Sequence, residues 1–337
     1  MKYSIIIPVY NRPDEVDELL DSLTHQTVKD FEVVVVEDGS TLKCEAICKK
    51  YEEQLTINYH YKDNSGPGPS RYFGVAHANG LYVLILDSDC VIPPSYIASI
   101  DEELSKDSCE AFGGPDRAHD SFTPIQKAIS YGMTSFFTTG GIRGGKKKLD
   151  KFYPRSFNMG VKRSVYDDLG GFSNMRFGED IDFSTRIFEK GYKCRLFPEA
   201  WVWHKRRTDM RKFFKQVFNS GIARINLTKR HPGTLKLVHL LPMAFTVGVI
   251  ALIIATLILL IIGSKFWMLT LLPIVLYCLL IFIDASIKNK NVVIGLLSIE
   301  AAFFQLFGYG LGFIKAWWQR CILGRGEFCA YEKNFYK

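Results

Sequence analysis

The chain has 337 residues, 42 Lys and Arg against 35 Asp and Glu, and a formal net charge of +7. With 47% hydrophobic and 23% charged residues it is too apolar for a disordered chain and long enough to bury a core without disulfide staples. Gly (27) and Pro (13) are at ordinary levels, which excludes collagenous and low-complexity architectures.

The first half alternates strand and helix patterns. Residues 4–8 form a short β-rich run, followed by Val16, Leu19, Leu20 and Leu23 at helical spacing. Residues 31–36 are a continuous buried-strand pattern, and Ala46, Ile47 and Tyr51 mark a second amphipathic helix. Residues 55–61 read as a third strand, 70–78 as a third helix and 81–86 as a fourth strand ending at Asp87. Fully apolar strands separated by helices predict an α/β domain with a mostly parallel sheet covered on both faces. Ligands of such sheets bind beyond the strand C-termini. Pro8-Val9-Tyr10-Asn11, Glu37-Asp38-Gly39-Ser40 and Asp87-Ser88-Asp89 all fall at those ends, so three polar clusters share one rim.

The opening residues Met1 to Pro8 do not read as a signal peptide, because the apolar run is short and Pro8 ends it. The pattern weakens between residues 111 and 151. Gly140-Gly141-Ile142-Arg143-Gly144-Gly145-Lys146-Lys147-Lys148 reads either as a solvated loop or as a lid whose lysines, Lys146 and Lys147 among them, meet a phosphate on substrate. The eight cysteines, at 44, 48, 90, 109, 194, 278, 321 and 329, form no Cys-x-x-Cys. They read as reduced structural residues of a cytosolic catalytic part.

Residues 205–236 hold ten Lys/Arg and one acid, Asp209. That block carries about +9 of the charge and leaves the remainder near −2. A nucleic-acid binder would spread its basic residues over a folded face with interleaved aromatics, so no nucleic-acid partner is expected. Here the block directly precedes the most apolar run of the chain, which is the pattern of a cytoplasmic membrane flank. Within it Met210, Phe213, Phe214, Val217, Phe218, Ile222 and Ile225 follow helical spacing, which reads as an interfacial helix or as one packed on the catalytic domain. Residues 243–262 and 266–283 carry no charge and are long enough to span as a hairpin turning at Gly263-Ser264-Lys265. A third run, 292–314, carries Glu300 and Gln305 and reads as a third span or a re-entrant segment. The basic tail after it, with Lys315, Arg320, Arg325, Lys333 and Lys337, argues against placing it outside, where three crossings would put it. The organisation read from the chain is a catalytic domain at 1–204, a basic amphipathic juxtamembrane segment at 205–236, a transmembrane region of two or three helices at 237–314, and a basic, aromatic tail at 315–337.

The acids suggest chemistry. Asp87 and Asp89, one residue apart after a buried strand, suit a hard divalent cation bridged to phosphate oxygens; a surface turn is the plain alternative. A carboxylate at Asp38 can accept from a base N–H or a ribose hydroxyl, or cap the next helix. Arg71, after Gly66-Pro67-Gly68-Pro69, can pair with a diphosphate bidentately. The glycine run is not a dinucleotide fingerprint, since Arg71 stands at the third glycine position.

Taken in order, Ile5-Ile6-Ile7-Pro8-Val9-Tyr10-Asn11, Glu37-Asp38-Gly39-Ser40, Arg71, Leu86-Asp87-Ser88-Asp89 and Gly178-Glu179-Asp180-Ile181-Asp182 resemble glycosyltransferase family 2 over roughly residues 1–232. The resemblance implies a GT-A fold, a nucleotide-sugar donor (a UDP-sugar favoured over a GDP-sugar), a divalent metal (Mn2+ or Mg2+) and inversion at the anomeric carbon. It implies that Pro8, Val9 and Tyr10 line the nucleobase pocket, Asp38 contacts the base, Asp87 lies near ribose and metal, and Ser88 binds the nucleotide sugar. Asp89 would bind the metal, His204 would be a further ligand, and Arg71 would face the diphosphate. Asp180 would act as the catalytic base and Glu179 would orient the acceptor, although both acids also suit a helix N-terminus. Trp201 and Trp203 would stack on acceptor sugar faces or pack in the core. The implied setting is a bacterial-type inner (plasma) membrane with a multi-pass anchor and a cytoplasmic catalytic domain, adding one sugar to a lipid-linked or glycan acceptor in cell-surface glycan assembly. Two departures stand out. Glu37 replaces the first acid usual in its motif. The Gln-x-x-Arg-Trp motif of processive members is absent, since Gln216 is followed by Val217-Phe218-Asn219-Ser220, which disfavours a processive polysaccharide synthase. A non-catalytic membrane scaffold of the same fold is the remaining alternative, and the intact acids argue against it.

Overall fold

A computed structural model describes residues 1–117, 119, 121–140, 152–175, 177–205 and 209–327. The Lys146 and Lys147 lid and the end of the C-terminal tail lie outside the described residues. The chain divides into two compact units, one of residues 1–119 and 150–205 and the other of residues 120–149 and 206–337.

The first unit opens with β1 (Tyr3–Val9) and α1 (Pro13–Thr24). Pro13 fits the first helical turn, where its missing N–H has no partner to lose, and Asp14 and Glu15 complement the helix dipole. Val16, Leu19, Leu20 and Leu23 form the buried stripe that packs on the sheet. Next come β2 (Phe31–Asp38), α2 (Glu45–Tyr51), β3 (Ile57–Lys62), α3 (Pro67–Ala76) and β4 (Tyr82–Leu86). Helix α3 starts earlier than its periodicity suggests. Gly66 is its N-cap at φ +96 and Pro67 opens its first turn, so the Gly-Pro run starts a helix and does not form a free loop.

The unit continues with β5 (Cys90–Val91), α4 (Tyr96–Lys106), β6 (Ala111–Gly113) and β7 (Asp116–Arg117). After the segment that joins the other unit it resumes with β8 (Asn158–Lys162), α7 (Arg163–Asp168), α8 (Glu179–Glu189), β9 (Cys194–Leu196) and β10 (Val202–His204). The large sheet has the order β3-β2-β1-β4-β8-β6-β9. Strands β1, β2, β3 and β4 are parallel, and β8 runs antiparallel to both β4 and β6. The run Val33-Val34-Val35-Val36 is fully buried because each sheet face has its own core. Ile5, Ile7, Val33 and Val35 face one side, and Ile6, Val34, Val36 and Ile85 the other. Strands β5, β10 and β7 form a separate three-stranded sheet.

The second unit contains α5 (Pro124–Thr134), α6 (Phe136–Thr139), α9 (Met210–Arg230), α10 (Leu241–Ile261), α11 (Trp267–Asn289) and α12 (Val292–Trp317). Helix α5 begins with a capping box between Thr123 and Gln126. Its residues group with the C-terminal helices in the second unit.

Three helices, α10, α11 and α12 with its short extension to Ile322, are long and apolar enough to cross a membrane. They are not alike. Protein buries 17% of the most apolar window of α10 and 11% of that of α11, but 39% of that of α12. Helix α12 is continuous over 26 residues. The apolar stripe of α9 is spent on it: Phe213 and Val217 pack with Ala128, Ile129 and Met133 of α5 and with Ile294 and Ala301 of α12, while Ile222 and Ile225 pack with Phe313 and Ala316. The α9 stripe is thus covered by protein helices, and Arg211, Lys212 and Lys215 remain exposed. Glycines permit the close approach. A Cβ on Gly312 would lie 2.0 Å from the Phe218 carbonyl oxygen, and one on Gly221 2.2 Å from that of Tyr309.

Candidate active site

The rim of the large sheet gathers acids from three segments, the end of β2, the link between β4 and β5 and the first turn of α8, and the described geometry gives each a basic or backbone partner. Asp38 ends β2 and is almost fully buried. One oxygen accepts from Lys62 Nζ at 2.7 Å and Ser65 N at 2.9 Å, the other from Gly66 N at 2.8 Å. Its neighbour Glu37 points into the wall, where Oε2 accepts from Cys44 N (2.7 Å) and Tyr59 O–H (3.0 Å). Glu37 therefore braces the start of α2. Pro8 and Val9 finish β1 beside these residues and Tyr10 follows it, with Val9 buried and the other two half-buried. Asn11 follows in the left-handed region (φ +53), which Asn tolerates better than most side chains. Its Oδ1 accepts from Thr41 N (2.8 Å) and Leu42 N (2.9 Å), locking the loops after β1 and β2 together.

Asp87, Ser88 and Asp89 lie between β4 and β5. Asp87 Oδ1 accepts from Arg71 Nη2 at 2.8 Å, and Arg71 Nη1 donates to Glu179 Oε1 at 3.1 Å. Arg71 is 3% exposed and its guanidinium lies 5.3 Å from the centre of the Phe172 ring. Burial works against its charge, but Asp87 and Glu179 more than compensate, so its pKa stands above the ordinary value. The guanidinium thus joins the strand-end acid Asp87 to Glu179 on the first turn of α8. Among the described contacts both ends of its fork are used on protein carboxylates, the groups that a diphosphate would otherwise replace.

Asp89 faces His204, with Nε2 3.2 Å from Oδ1, and accepts from Arg12 Nη1 at 3.2 Å through Oδ2. The small sheet makes the histidine contact, because β5 and β10 pair antiparallel with His204 opposite Cys90. The His204 ring stacks on Phe157 at 4.6 Å, and its Nδ1 is buried with no hydrogen-bond partner among the described residues. Asp89, Cys90 and His204 each place a ligand atom within 4.8 Å of one another. An imidazole nitrogen, Nε2, beside a carboxylate oxygen is a donor set that a borderline or hard divalent cation accepts, so these residues fit a metal.

Glu179 and Asp180 begin α8, after Gly178 at φ +83. Burial, then the neighbouring Asp180, pushes the Glu179 carboxyl up to about 7, with Arg71 opposing. Asp180 is paired with Arg155, Nη1 to Oδ2 at 3.3 Å. Asp182, also singled out by the sequence motif, is a structural acid: it holds Arg186 at 3.0 Å, and Arg186 donates to the Leu169 and Gly171 carbonyls. Trp201 and Trp203 meet edge to face at 4.6 Å, with the Arg117 guanidinium 4.2 Å from the Trp201 ring and His119 edge-on to Trp203. Both rings are half-buried.

Arg12, Lys62 and Arg155 escape sequence reasoning. Arg12 directly follows the strand-end run, and Lys62 ends the third strand at the same rim, so position alone could have suggested these two. Nothing in the local sequence marks Arg155.

Residues 4–170 match the family model described as "Glycosyl transferase family 2". The chain is 30% identical over 201 residues to the glycosyltransferase GlyA of Streptococcus pneumoniae serotype 4, a match covering 59% of this chain and 25% of that protein. It thus spans a quarter or less of the length of the first curated relatives it matches. Among solved structures it resembles the mannosyltransferase PcManGT of Pyrobaculum calidifontis in complex with GDP-Man and Mn2+, with a TM-score of 0.63 at 19% identity over 91% of this chain and 87% of the other. It also resembles S. aureus TarS 1-349 in complex with UDP-GlcNAc, with a TM-score of 0.51 at 18% identity over 96% and 93% of the two chains. At these identities the likeness is one of fold.

Proposed function

Through residues 4–170 this chain belongs to glycosyl transferase family 2, and we propose that it transfers one sugar, with inversion, from a nucleotide-sugar donor to a hydroxyl of a lipid-linked or glycan acceptor held at the membrane. The observation that carries this reading is the Arg71 bridge. It brings the strand-end acid Asp87 and the α8 acid Glu179 to one guanidinium, so donor-side and acceptor-side acids meet at a single site.

In this reading Asp38 accepts from the nucleobase, and Pro8, Val9 and Tyr10 wall its pocket. Asp89 and His204, with Asp87 nearby, would hold Mn2+ or Mg2+, which supplies positive charge to a departing diphosphate. Asp180 takes the proton of the acceptor hydroxyl on its carboxylate, the step inversion requires on the face opposite the leaving group. Arg155 orients that carboxylate, and Glu179 orients the acceptor. The raised pKa of Glu179 favours a second reading in which Glu179 is the base, since a base is most effective when its pKa lies near the working pH. Trp201 and Trp203 offer ring faces for acceptor sugars. Relatives of this fold solved with UDP-GlcNAc and with GDP-Man support a nucleotide-sugar donor, and a UDP-sugar is the favoured one.

The basic block before α10 supports a cytoplasmic catalytic unit in a bacterial-type inner membrane, with Lys265 on the far side. A cysteine introduced at position 265 then reacts with an impermeant reagent added outside. Reaction only from inside would overturn this orientation. Product length tests single transfer: one added sugar per acceptor supports it, and a long polymer points to a processive synthase.

A further inference from the structure

Arg12 stands out among the basic groups of the rim. Arg71 places two different nitrogens on two acids, is nearly inaccessible and lies against Phe172. Arg12 places one nitrogen, Nη1, on both of its acids: Glu15 Oε2 at 2.6 Å and Asp89 Oδ2 at 3.2 Å. Its side chain is 36% exposed, against 4% for Arg71. The contact with Glu15 is short and local, on the first turn of α1, while the contact with Asp89 is long. Arg12 is thus anchored by Glu15 and only leans on Asp89.

Resting on the reading of Asp89 as a metal ligand, we propose that Arg12 is an exchangeable counter-ion that yields Asp89 to a divalent cation and turns its guanidinium to the donor diphosphate. A guanidinium and a divalent cation repel, and they compete for the charge of one carboxylate, Arg12 from the Oδ2 side and the cation beside His204 from the Oδ1 side. The Arg12 contact with Asp89, at 3.2 Å, is one that a better-charged partner displaces. Glu15 keeps the displaced group tethered at the end of β1, beside the segment that lines the nucleobase pocket. Arginine stays charged throughout, and its planar fork matches phosphate oxygens bidentately. The same residue therefore opposes metal binding before the donor arrives and favours nucleotide binding afterwards.

The two roles have opposite signs, which separates them from a merely structural one. Mn2+ binding to the full-length chain in detergent is measured by the free-Mn2+ EPR signal. Binding of UDP and of GDP is then measured at saturating Mn2+. Arg12→Gln should bind Mn2+ about three- to tenfold more tightly, the scale of removing one partly exposed competing charge. It should bind whichever nucleotide the wild type binds about tenfold more weakly, the scale of one charged hydrogen-bond partner lost. Lys205→Gln removes a nearby charge that is paired with Glu18 at 2.6 Å, and should leave both affinities within about twofold, as a surface pair does. Unchanged or weaker Mn2+ binding by Arg12→Gln, unchanged nucleotide binding, or an equal gain in Lys205→Gln overturns the role of Arg12. If Asp89→Asn binds Mn2+ as well as the wild type does, the metal assignment itself fails and takes this inference with it.

Discussion

The sheet rim in the first unit and the seam between α9 and α12 in the second are built on opposite principles. At the rim, Asp38, Asp87, Asp89, Glu179 and Asp180 sit at least half-buried, each against a cation of the chain: Lys62, Arg71, Arg12 or Arg155. At the seam, Gly221 and Gly312 let two backbones meet around Ile222, Ile225, Phe313 and Ala316. Buried ion pairs are an inefficient way to stabilise a fold, because desolvation consumes most of the Coulomb gain, whereas close apolar packing is efficient. The difference teaches that the rim is arranged for ligands that carry their own charges, and the seam for holding helices together.

Substitutions at the rim should then remove activity with little loss of stability, and substitutions at the seam should do the reverse. The largest expected effect is that of Asp89→Ala, which should abolish transfer and metal-dependent nucleotide binding while circular dichroism and thermal unfolding stay near wild type. Near-wild-type activity of that variant in Mn2+ would remove Asp89 from the metal site. Next comes Asp180→Asn, which keeps size and hydrogen bonding but cannot take a proton. Transfer should fall by about 10²–10⁴, the usual worth of a general base, while donor nucleotide affinity holds. Glu179→Gln should be milder. Rates of both variants decide the matter, and a dead Glu179→Gln beside an active Asp180→Asn would exchange their roles.

Much of this contrast was legible in the chain before its structure. The alternation of Val33–Val36-type strands with amphipathic helices located the rim, because strand ends in a parallel sheet converge. The uncharged stretches gave α10 and α11, because hydropathy needs no tertiary information. What stayed hidden depends on long-range contact. Strands β5, β7 and β10 are two or three residues long, too short to show a period, yet they bring His204 to Asp89. Arg155 meets Asp180 only after β8 and α8 are placed. The α9 stripe has the amphipathic pattern of a helix lying on lipid, and only its partner α12, with glycines at 308, 310 and 312, shows that protein covers it.

At the seam the expected effects are smaller and fall on stability. Gly312→Val forces side-chain atoms against the Phe218 carbonyl and should cost about 1–3 kcal/mol by overpacking. It should lower the thermal midpoint of the full chain in detergent and leave nucleotide affinity unchanged. A matching loss of nucleotide affinity would show that the two regions are not energetically separate.

The smallest effect is a pH dependence at the rim. The Glu179 pKa is raised from 4.5 to about 7, so between these values the folded chain holds a proton that the unfolded chain releases. This contribution to stability is complete below the ordinary carboxylate value and is lost as pH rises through the folded value. Thermal midpoints across that window should fall with rising pH, and Glu179→Gln should flatten the slope. An unaltered slope in that variant would assign the dependence to another group.

The most direct test of the central claim is a donor screen. The full chain in detergent is incubated with UDP- and GDP-sugars in Mn2+ or Mg2+, with and without chelator, and release of nucleoside diphosphate is followed. A paired-acid rim that serves a metal and a nucleotide sugar predicts release from one donor class, abolished by chelator. Consumption of no donor, or consumption indifferent to chelator, would contradict it.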